Sequence, residues 1–466
     1  MNLQRAIEYV DRKSIQYVDD GLTPGAGITI VSKDQVHLTK GYGISDIITN
    51  EKYTTDTTQI LIASVSKVIS GTLLCLLEKE NPGKILNAKT NIVTSVPYVS
   101  ENMIVKDLVS HRSGIPEQFG SISETLGNTR NFIINSLANA PNRNFRNEHQ
   151  YTNLPFTQGI EIGVSIANLT LEEAYDKIFN LIGMHNTSTT FAPDKYKGYG
   201  DLGSANNLNN TKRWYPIFNT YVEQQLSAGG IYTTISDMAT FIQFHLRQAA
   251  LAQDDRLISD DFYKGVTVRN VDSMYGIGVN ISYQKVGNDL HKMFNHNGGL
   301  VSTRTILVWT PSLDIGIFVH SNSSPNGFPE AIAQAFYLIL GGGTNEEADT
   351  LFSNMDQTFT KLIGDQLCPI VSNIAGSQSI DSSLVGSYYN NEWGDITIDS
   401  HGMIKFKYLD ATPLFTDDIG TNKNKYRFVL KDLSDVSYAG EIIVNGDKLV
   451  ITYQCEEKIF DKLNNL

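Results

Sequence analysis

A run of three glycines followed by a polar, acidic stretch, GGGTNEEADT at 341–350, divides the sequence into two parts with different patterns. Flexible glycines and polar residues between two patterned regions are typical of a domain boundary. The chain of 466 residues also exceeds what a single hydrophobic core usually holds. We therefore expect a first domain over 1–343, a linker with a helical segment over 344–380, and a second domain over 381–466.

The first part has strand patterns at both ends and helical patterns in its middle. Apolar runs bounded by turn residues over 25–46 and again over 274–324 predict β-strands. From about 100 to 260 the apolar residues recur at helical spacing instead. We expect an α+β fold in which both ends of this part build one antiparallel sheet, flanked by helices, with a helical region inserted between them.

Capping and breaking residues mark several helix boundaries. One helix should begin near Ser64 and end before Pro82, because the Pro-Gly pair at that point stops a helix. Thr170-x-x-Glu173 forms a capping box that should start another helix. Ser236 is the expected N-cap of a third helix.

The second part has the pattern of an all-β domain. From about Leu384 onward, short alternating runs are separated by Gly, Asn and Asp turns, as in GEIIVNGDKLVITYQC. Such runs predict a small antiparallel β-barrel or sandwich. A helical segment, roughly Leu351–Ile363, should precede it. No residue in the second part is a catalytic candidate.

Charge and composition exclude some function classes. The formal net charge of -13 and the pI near 5.2 argue against nucleic acid or an anionic membrane as the main partner. The sequence contains no run of 18 apolar residues and no apolar signal segment at its start, so we expect a soluble, cytoplasmic protein unless a leader has been removed. Cys75, Cys368 and Cys455 are far apart and show no metal-ligand spacing, so we expect neither a disulfide framework nor a metal.

The clearest chemical candidate is Ser64-Val65-Ser66-Lys67, an S-x-x-K element at the start of a predicted helix. Residues i and i+3 share one helix face, so the hydroxyl and the amine can meet. Serine needs a base to become a nucleophile, and a lysine acting as that base must be neutral part of the time. Burial and the positive end of the helix dipole both disfavour the charged amine, and the flanking segments are strongly apolar. Ser66 competes as a nucleophile, but no lysine stands three residues after it.

Several further segments follow the S-x-x-K element in order. They include VKDLVSHRSGIP, the motif Tyr151-x-Asn153, IFNLIGMHNTS, SAGGIYTTISDMATF and the motif His296-x-Gly298. In this order the chain resembles the serine β-lactamase-like family of class C β-lactamases, DD-peptidases, D-aminopeptidases and related esterases. The resemblance covers about residues 20–325. Each segment is weak alone, but the ordered set is specific.

The resemblance implies a role for each motif residue around the serine. Tyr151 would act as a phenolate-like base toward Ser64 or toward the hydrolytic water, with its pKa lowered by nearby cations such as Lys67. Asn153 would hold Lys67 and the substrate carbonyl region. His111, in the His-x-Ser-Gly element, would shape a helix end.

The third motif would border the site on a strand opposite the serine. A protonated or donating imidazole of His296 would bind a substrate carboxylate or polarise Tyr151. The N–H groups of Gly299 and Ser64 would form the oxyanion hole. Gly298 and Gly299 together would let the substrate approach the backbone.

Two departures from the family pattern shape the functional expectation. This chain has His296 where typical β-lactamases have lysine, which moves weight from penicillin hydrolysis to peptidase or esterase chemistry. It also carries a C-terminal barrel that resembles the lipocalin-like barrels of some family peptidases. We expect a serine hydrolase that acts through an acyl-enzyme on a D-amino-acid peptide or amide or on an ester, with β-lactams as weak substrates.

Such an enzyme would need no cofactor and no metal. Its partner would be a small-molecule or short-peptide substrate, and a homo-oligomer is compatible with the sequence. The alternative is a catalytically silent, penicillin-binding-like protein that binds ligands or assembles into larger structures.

Overall fold

The computed structural model describes residues 2–90, 102–140, 145–190, 197–201, 214–217, 225–265, 267–268, 271–272, 275–366, 380–407, 409–416, 424–431, 437–454 and 456–463. Its α-helices are α1 Leu3–Asp19, α2 Ser66–Glu80, α3 Val105–Val109, α4 Ser121–Thr125, α5 Arg130–Ser136, α6 Asn153–Ile166, α7 Leu171–Ile182, α8 Leu226–Gly229, α9 Ile235–Ala250, α10 Phe328–Leu340 and α11 Asn345–Gln366. Within the described residues, none of these helices has the length and apolarity needed to cross a membrane.

A seven-stranded antiparallel sheet forms the centre of the first region, in the order β10-β11-β12-β13-β1-β2-β3. Its strands, with the short strands between them, are β1 Gly25–Val31, β2 Val36–Asp46, β3 Glu51–Lys52, β4 Ile60–Leu61, β5 Gly198–Asp201, β6 Trp214–Ile217, β7 Tyr232–Thr233, β8 Thr267–Val268, β9 Val271–Asp272, β10 Asn280–Val286, β11 Asp289–Leu300, β12 Thr303–Thr310, β13 Ile315–Ser321 and β14 Ser323–Ser324. Both ends of the region therefore build one sheet around an inserted helical region, which confirms the predicted fold class.

The central strands are apolar on both faces because helices cover both sides of the sheet. Every residue of β13 is buried. Ile317 and Val319 lie in the core that includes α1 and α10, whereas Phe318 between them lies in the core that includes α2 and α9. Successive side chains point to opposite faces of a strand, so each strand serves both cores.

The polar stretch after the three glycines is helical. Helix α11 begins at Asn345, earlier than the expected Leu351, and the N–H of Glu347 donates to the hydroxyl of Thr344 at 3.1 Å. It packs on the first region, where the hydroxyl of Tyr17 donates to Asp356 at 3.0 Å. The acidic residues that suggested a solvated boundary form the first turn of this helix, where they favour its positive end.

The C-terminal region is a nearly closed nine-stranded antiparallel barrel, in the order β18-β17-β16-β15-β23-β22-β21-β20-β19. Its strands are β15 Gly386–Asn390, β16 Gly394–Ile398, β17 Met403–Phe406, β18 Thr412–Pro413, β19 Phe415–Thr416, β20 Lys425–Lys431, β21 Ser437–Asn445, β22 Lys448–Tyr453 and β23 Glu456–Lys462. The predicted β-barrel is confirmed.

One helix of the inserted region packs directly on this barrel. Ile122 of α4 and Leu126, directly after the helix, belong to the hydrophobic core of the barrel. On either side of α4, the N–H of Gly120 donates to the carboxylate of Glu392 at 3.1 Å, and the amide of Asn128 donates to the carbonyl of Trp393 at 2.9 Å. Apolar packing and these two hydrogen bonds fix α4 against the barrel.

Candidate active site

The predicted nucleophile stands at a constrained turn at the start of α2. Ser64 lies in a 3₁₀ turn, Ala63–Val65, that leads into the α-helix, and its side chain is partly exposed. Ala63 adopts a left-handed φ of 47°, which is strained for a residue with a side chain. The competing hydroxyl of Ser66 is buried and accepts the N–H of Ile231 at 3.1 Å, so it has a structural role.

Lys67 is completely buried behind this serine. Its Nζ lies 3.2 Å from the Oγ of Ser64. It also lies 2.7 Å from the Oδ1 of Asn153 and 2.7 Å from the carbonyl oxygen of Ala228. Among the described residues no carboxylate comes within ion-pair distance of this amine.

Burial holds the pKa of Lys67 well below its ordinary value, because the charged form has lost its water and gained no counter-ion. In its neutral form the amine would meet these three oxygens with two N–H donors and one lone pair. The two N–H groups can donate to Asn153 and Ala228. The lone pair is then left for the hydroxyl proton of Ser64. In this arrangement the amine lies within hydrogen-bond reach of the hydroxyl that it would have to deprotonate.

Tyr151 lies on the other side of the serine and hydrogen-bonds with its side chain. The Nζ of Lys67 lies 4.7 Å from the centre of the tyrosine ring. Burial raises the pKa of Tyr151, while the bond to Ser64 opposes that rise. Burial disfavours the charged forms of both Lys67 and Tyr151, so the phenolate-like base expected from the sequence is not supported. The hydroxyl of Tyr151 is a proton donor in this arrangement.

His296 is buried in β11, and its surroundings fix a neutral imidazole. Its Nδ1 lies 2.6 Å from the carbonyl oxygen of Asn297, so this nitrogen carries the proton. Its Nε2 lies 3.2 Å from the hydroxyl of Tyr275 and accepts from it. Burial is the main cause that lowers the pKa of His296 to about 3. Of the two states expected from the sequence, the protonated imidazole is not supported.

The end of β11 offers an open edge beside the serine. Strand β10 pairs with β11 up to Asn295, whereas β12 pairs with it as far as Leu300. Residues 301–302 form a two-residue hairpin, which makes Leu300 and Thr303 a hydrogen-bonded pair. Hydrogen-bonded and non-bonded pairs alternate along such a ladder. The N–H of Gly299 therefore points to the open edge, as an oxyanion-hole donor must.

The glycines of the third motif face opposite sides of the sheet. A Cβ on Gly298 would stand 2.5 Å from the carbonyl oxygen of Ile62 and 3.1 Å from the nitrogen of Ser64. A Cβ on Gly299 would instead collide with the guanidinium of Arg304 on the other face. The lack of a side chain at Gly298 therefore lets β11 pack against the backbone of the segment that carries Ser64.

Three contributors to the site were not predicted from the sequence. The carbonyl of Ala228 holds Lys67, and the hydroxyl of Tyr275 contacts His296. His111 was expected only at a helix end, but its buried ring lies 4.3 Å from that of Tyr151. A main-chain oxygen and a tyrosine outside the motifs carry no local pattern that could have revealed them.

A cleft of about 620 Å³ lies between the inserted region and the barrel. Its walls are formed by residues 116–119 and Gln150 on one side and by Glu392 and 456–458 on the other. The N–H of Gln118 in this wall donates to the carbonyl of Tyr151 at 3.3 Å. The wall of the cleft that faces the barrel is therefore linked through the backbone to Tyr151.

The described residues contain no metal-binding cluster and one free cysteine. Within the described part of the chain, no cluster of three or more His, Cys, Asp or Glu side chains could hold a metal ion. Cys75 is buried and free in α2. Cys368 and Cys455 lie outside the described residues.

The fold and the ordered motifs identify the class of protein. The family model described as Beta-lactamase matches residues 10–340, and the chain belongs to this family.

Individual relatives are distant. Protein flp of Staphylococcus aureus (strain COL) is 26% identical over 340 residues, which cover 67% of this chain and 62% of that protein. Unguisins hydrolase ungD' of Aspergillus campestris (strain IBT 28561) is 23% identical over 353 residues, covering 70% and 63%. The matched region thus spans less than two thirds of each of these relatives.

Solved structures show the same fold. The octameric penicillin-binding protein homologue from Pyrococcus abyssi superposes with a TM-score of 0.60 at 16% identity, covering 98% of this chain and 100% of that chain. The β-lactamase/D-alanine carboxypeptidase from Pseudomonas syringae gives a TM-score of 0.58 at 16% identity, covering 73% of this chain and 100% of that chain.

Proposed function

We propose that this protein is a serine hydrolase in which Ser64 attacks amide or ester carbonyls and Lys67 is its base. The observation that carries the proposal is the pairing of a fully buried amine with the serine hydroxyl at 3.2 Å, with both of its N–H groups directed at other oxygens. A buried amine without a counter-ion is costly to maintain, and a base for the serine is the function that this arrangement serves.

The proposed acylation step moves one proton and forms one bond. The hydroxyl proton of Ser64 passes to Nζ of Lys67 as Oγ bonds to the substrate carbonyl carbon. The oxyanion accepts from the N–H groups of Ser64 and Gly299, and each such donor is typically worth about 3 kcal/mol in the transition state. The leaving nitrogen or oxygen takes the hydroxyl proton of Tyr151, and protonated Lys67 returns a proton to the tyrosine. Water then cleaves the acyl-enzyme by the same route in reverse.

The substrate class follows from the third motif and the cleft. His296 is neutral and its Nδ1–H already donates to the backbone, so it presents no positive charge to a substrate carboxylate. That favours esters, or peptide amides of the D-amino-acid type, over β-lactams with their carboxylate. The cleft of about 620 Å³, which is lined by Gln150 next to Tyr151 in the sequence, leaves room for an extended substrate such as a short peptide. The name of the Aspergillus relative, a hydrolase, agrees with an enzymatic role.

A binding or assembly function is the second candidate. The homologue from Pyrococcus abyssi, whose fold matches this chain including the barrel, is an octameric penicillin-binding protein homologue. We propose a homo-oligomer for this chain on that ground. We also propose the division into 1–343, 344–380 and 381–466, with the last part completing the surface around the site. Assembly alone would not require a neutral lysine beside a serine.

The test is covalent labelling with a fluorophosphonate on wild type, Ser64→Ala and Ser66→Ala. We expect wild type and Ser66→Ala to be labelled and Ser64→Ala to remain unlabelled. Labelling that survives in Ser64→Ala would refute the assigned nucleophile. Nitrophenyl esters, D- and L-amino-acid anilides and a chromogenic cephalosporin then separate the substrate classes, and a labelled protein that turns over none of them would favour the binding function.

A further inference from the structure

A pair of buried polar side chains connects the barrel-bound helix α4 to the active site. Glu124 of α4 is 5% exposed, and Gln225, just before α8, is 1% exposed. The side-chain N–H of Gln225 donates to Oε2 of Glu124. The remaining oxygens, Oε1 of Glu124 and Oε1 of Gln225, are both buried and have no hydrogen-bond partner among the described residues.

One added proton satisfies both of these oxygens together. A protonated carboxyl has an O–H donor, which can donate to the amide oxygen while the amide N–H donates back to the acid. The result is a closed acid–amide ring. An ionised Glu124 would instead leave its own Oε1 and that of Gln225 without partners, at a cost of roughly 1–3 kcal/mol for each unsatisfied group. We propose that Glu124 is protonated and, through this ring with Gln225, positions the Ala228 carbonyl that holds the catalytic lysine.

The backbone carries the effect of the ring to Lys67. The carbonyl oxygen of Gln225 accepts the N–H of Ala228 at 2.9 Å and that of Gly229 at 3.2 Å, which fixes the single turn of α8. The carbonyl of Ala228 then accepts from Nζ of Lys67 at 2.7 Å. This bond is one of the two that direct the amine lone pair at Ser64, so Glu124 is a positioning residue, and its role rests on the proposed function.

The charged groups around the pair agree with a retained proton. Arg130 of α5 lowers the pKa of Glu124, but its guanidinium is already ion-paired with Glu161 of α6. On the barrel side, Glu392 is ion-paired with Lys458 at 2.8 Å. Burial outweighs these contributions and raises the pKa of Glu124 to about 8. Stability from the ring is therefore complete below the ordinary glutamate pKa of about 4.3 and is lost as the pH rises through about 8.

The substitution Glu124→Gln separates a proton-dependent ring from a structural contact. An introduced amide can close the same ring without a proton. We expect Glu124→Gln to keep the wild-type acylation rate at pH 7 and to abolish the decline that wild type shows above about pH 8. Glu124→Ala, which cannot close the ring, should acylate about 10- to 100-fold more slowly, because small misplacements of catalytic groups cost that much.

An infrared titration tests the proton without using activity. Wild type at pH 7 should show a buried carboxylic-acid C=O band that disappears as the pH passes about 8 and that is missing in Glu124→Gln. In Gln225→Met, which removes both ring bonds, the band should shift, and this second variant assigns the band if Glu124→Gln does not fold. Absence of any such band overturns the proposal even if Ser64 is labelled. A band without labelling of Ser64 would refute the hydrolase function and leave the ring in place.

Discussion

Two buried basic side chains lie on opposite sides of the central sheet, and they are satisfied in different ways. Lys67 contacts a hydroxyl, an amide oxygen and a carbonyl. Arg304 of β12, which is 6% exposed, forms an ion pair with the buried carboxylate of Glu330. Guanidinium groups stay protonated in proteins, so a buried arginine needs such a partner. Burial of a lysine that has no carboxylate partner among the described residues lowers its pKa instead, and that difference distinguishes the two faces of the sheet.

Lys67→Met removes the proposed base and should have the largest effect. We expect the acylation rate to fall by about 10²–10⁴-fold, the usual range for loss of a general base. The free energy of unfolding should change little, because no buried charge is stranded. Stopped-flow acylation with a nitrophenyl ester and urea unfolding measure the two quantities.

Lys106→Met is the matched control for this prediction. It removes a lysine that is ion-paired with Asp261 at the surface and is remote from the serine. Its acylation rate should equal that of wild type. A Lys67→Met enzyme as fast as this control would contradict the assignment of the base.

Arg304→Met tests the face of the sheet that carries the ion pair. It leaves the buried Glu330 without its partner and should lower the free energy of unfolding by about 3–5 kcal/mol. The acylation rate of the folded fraction should stay near that of wild type. In Arg304→Met combined with Glu330→Gln, most of the lost stability should return in urea unfolding. An Arg304→Met protein as stable as wild type would contradict the claim that Arg304 stabilises the fold through its ion pair with Glu330.

Gly298→Ala sharpens the comparison within one strand. The added methyl would press on the carbonyl of Ile62 and on the nitrogen of Ser64. We expect kcat/KM to fall about 10²-fold as the serine is displaced. Gly364→Ala in α11, where the nearest atom would be 3.9 Å away, is the control and should be silent in both activity and unfolding. Equal activities for the two variants would exclude close packing of β11 on the nucleophile segment.

The last expected effect is on stability at acid pH. His296 is held neutral in the folded state, with a pKa of about 3, whereas the unfolded chain protonates near pH 6.5. The unfolded state therefore binds the extra proton, and stability falls as the pH drops from 6.5 toward 3, by up to about 1.4 kcal/mol per pH unit. Urea unfolding of His296→Gln should show a shallower loss than wild type. If wild type and His296→Gln lose stability equally steeply at acid pH, His296 is not held neutral in the folded state.

Sequence patterns predicted a helix boundary correctly where neighbouring residues alone determine it. The capping box of Thr170 and Glu173 forms as expected, because both partners lie within one turn. The N-cap of α9 was predicted two residues too late: Thr234, not Ser236, accepts the N–H of Asp237. Both hydroxyls suit a cap, and the short strand that ends at Thr233 decides between them, which a local pattern does not show.

The candidate site divides in the same way. The ordered motifs predicted the residues that surround Ser64. They did not predict protonation states, since these depend on burial by distant segments. The sequence favoured an anionic Tyr151 and allowed a cationic His296, whereas the packed site holds both as neutral groups. Short motifs identify these side chains, but packing by residues distant in the sequence determines their protonation states.

A nitrogen NMR titration of the lysine side chains tests the central claim most directly. Wild type and Lys67→Met are compared from acid to alkaline pH. We predict one lysine in wild type that stays neutral far below the ordinary pKa of about 10.4 and whose signal is missing in Lys67→Met. A wild-type protein in which every lysine titrates near its ordinary pKa would contradict the account of Lys67 as the base of Ser64.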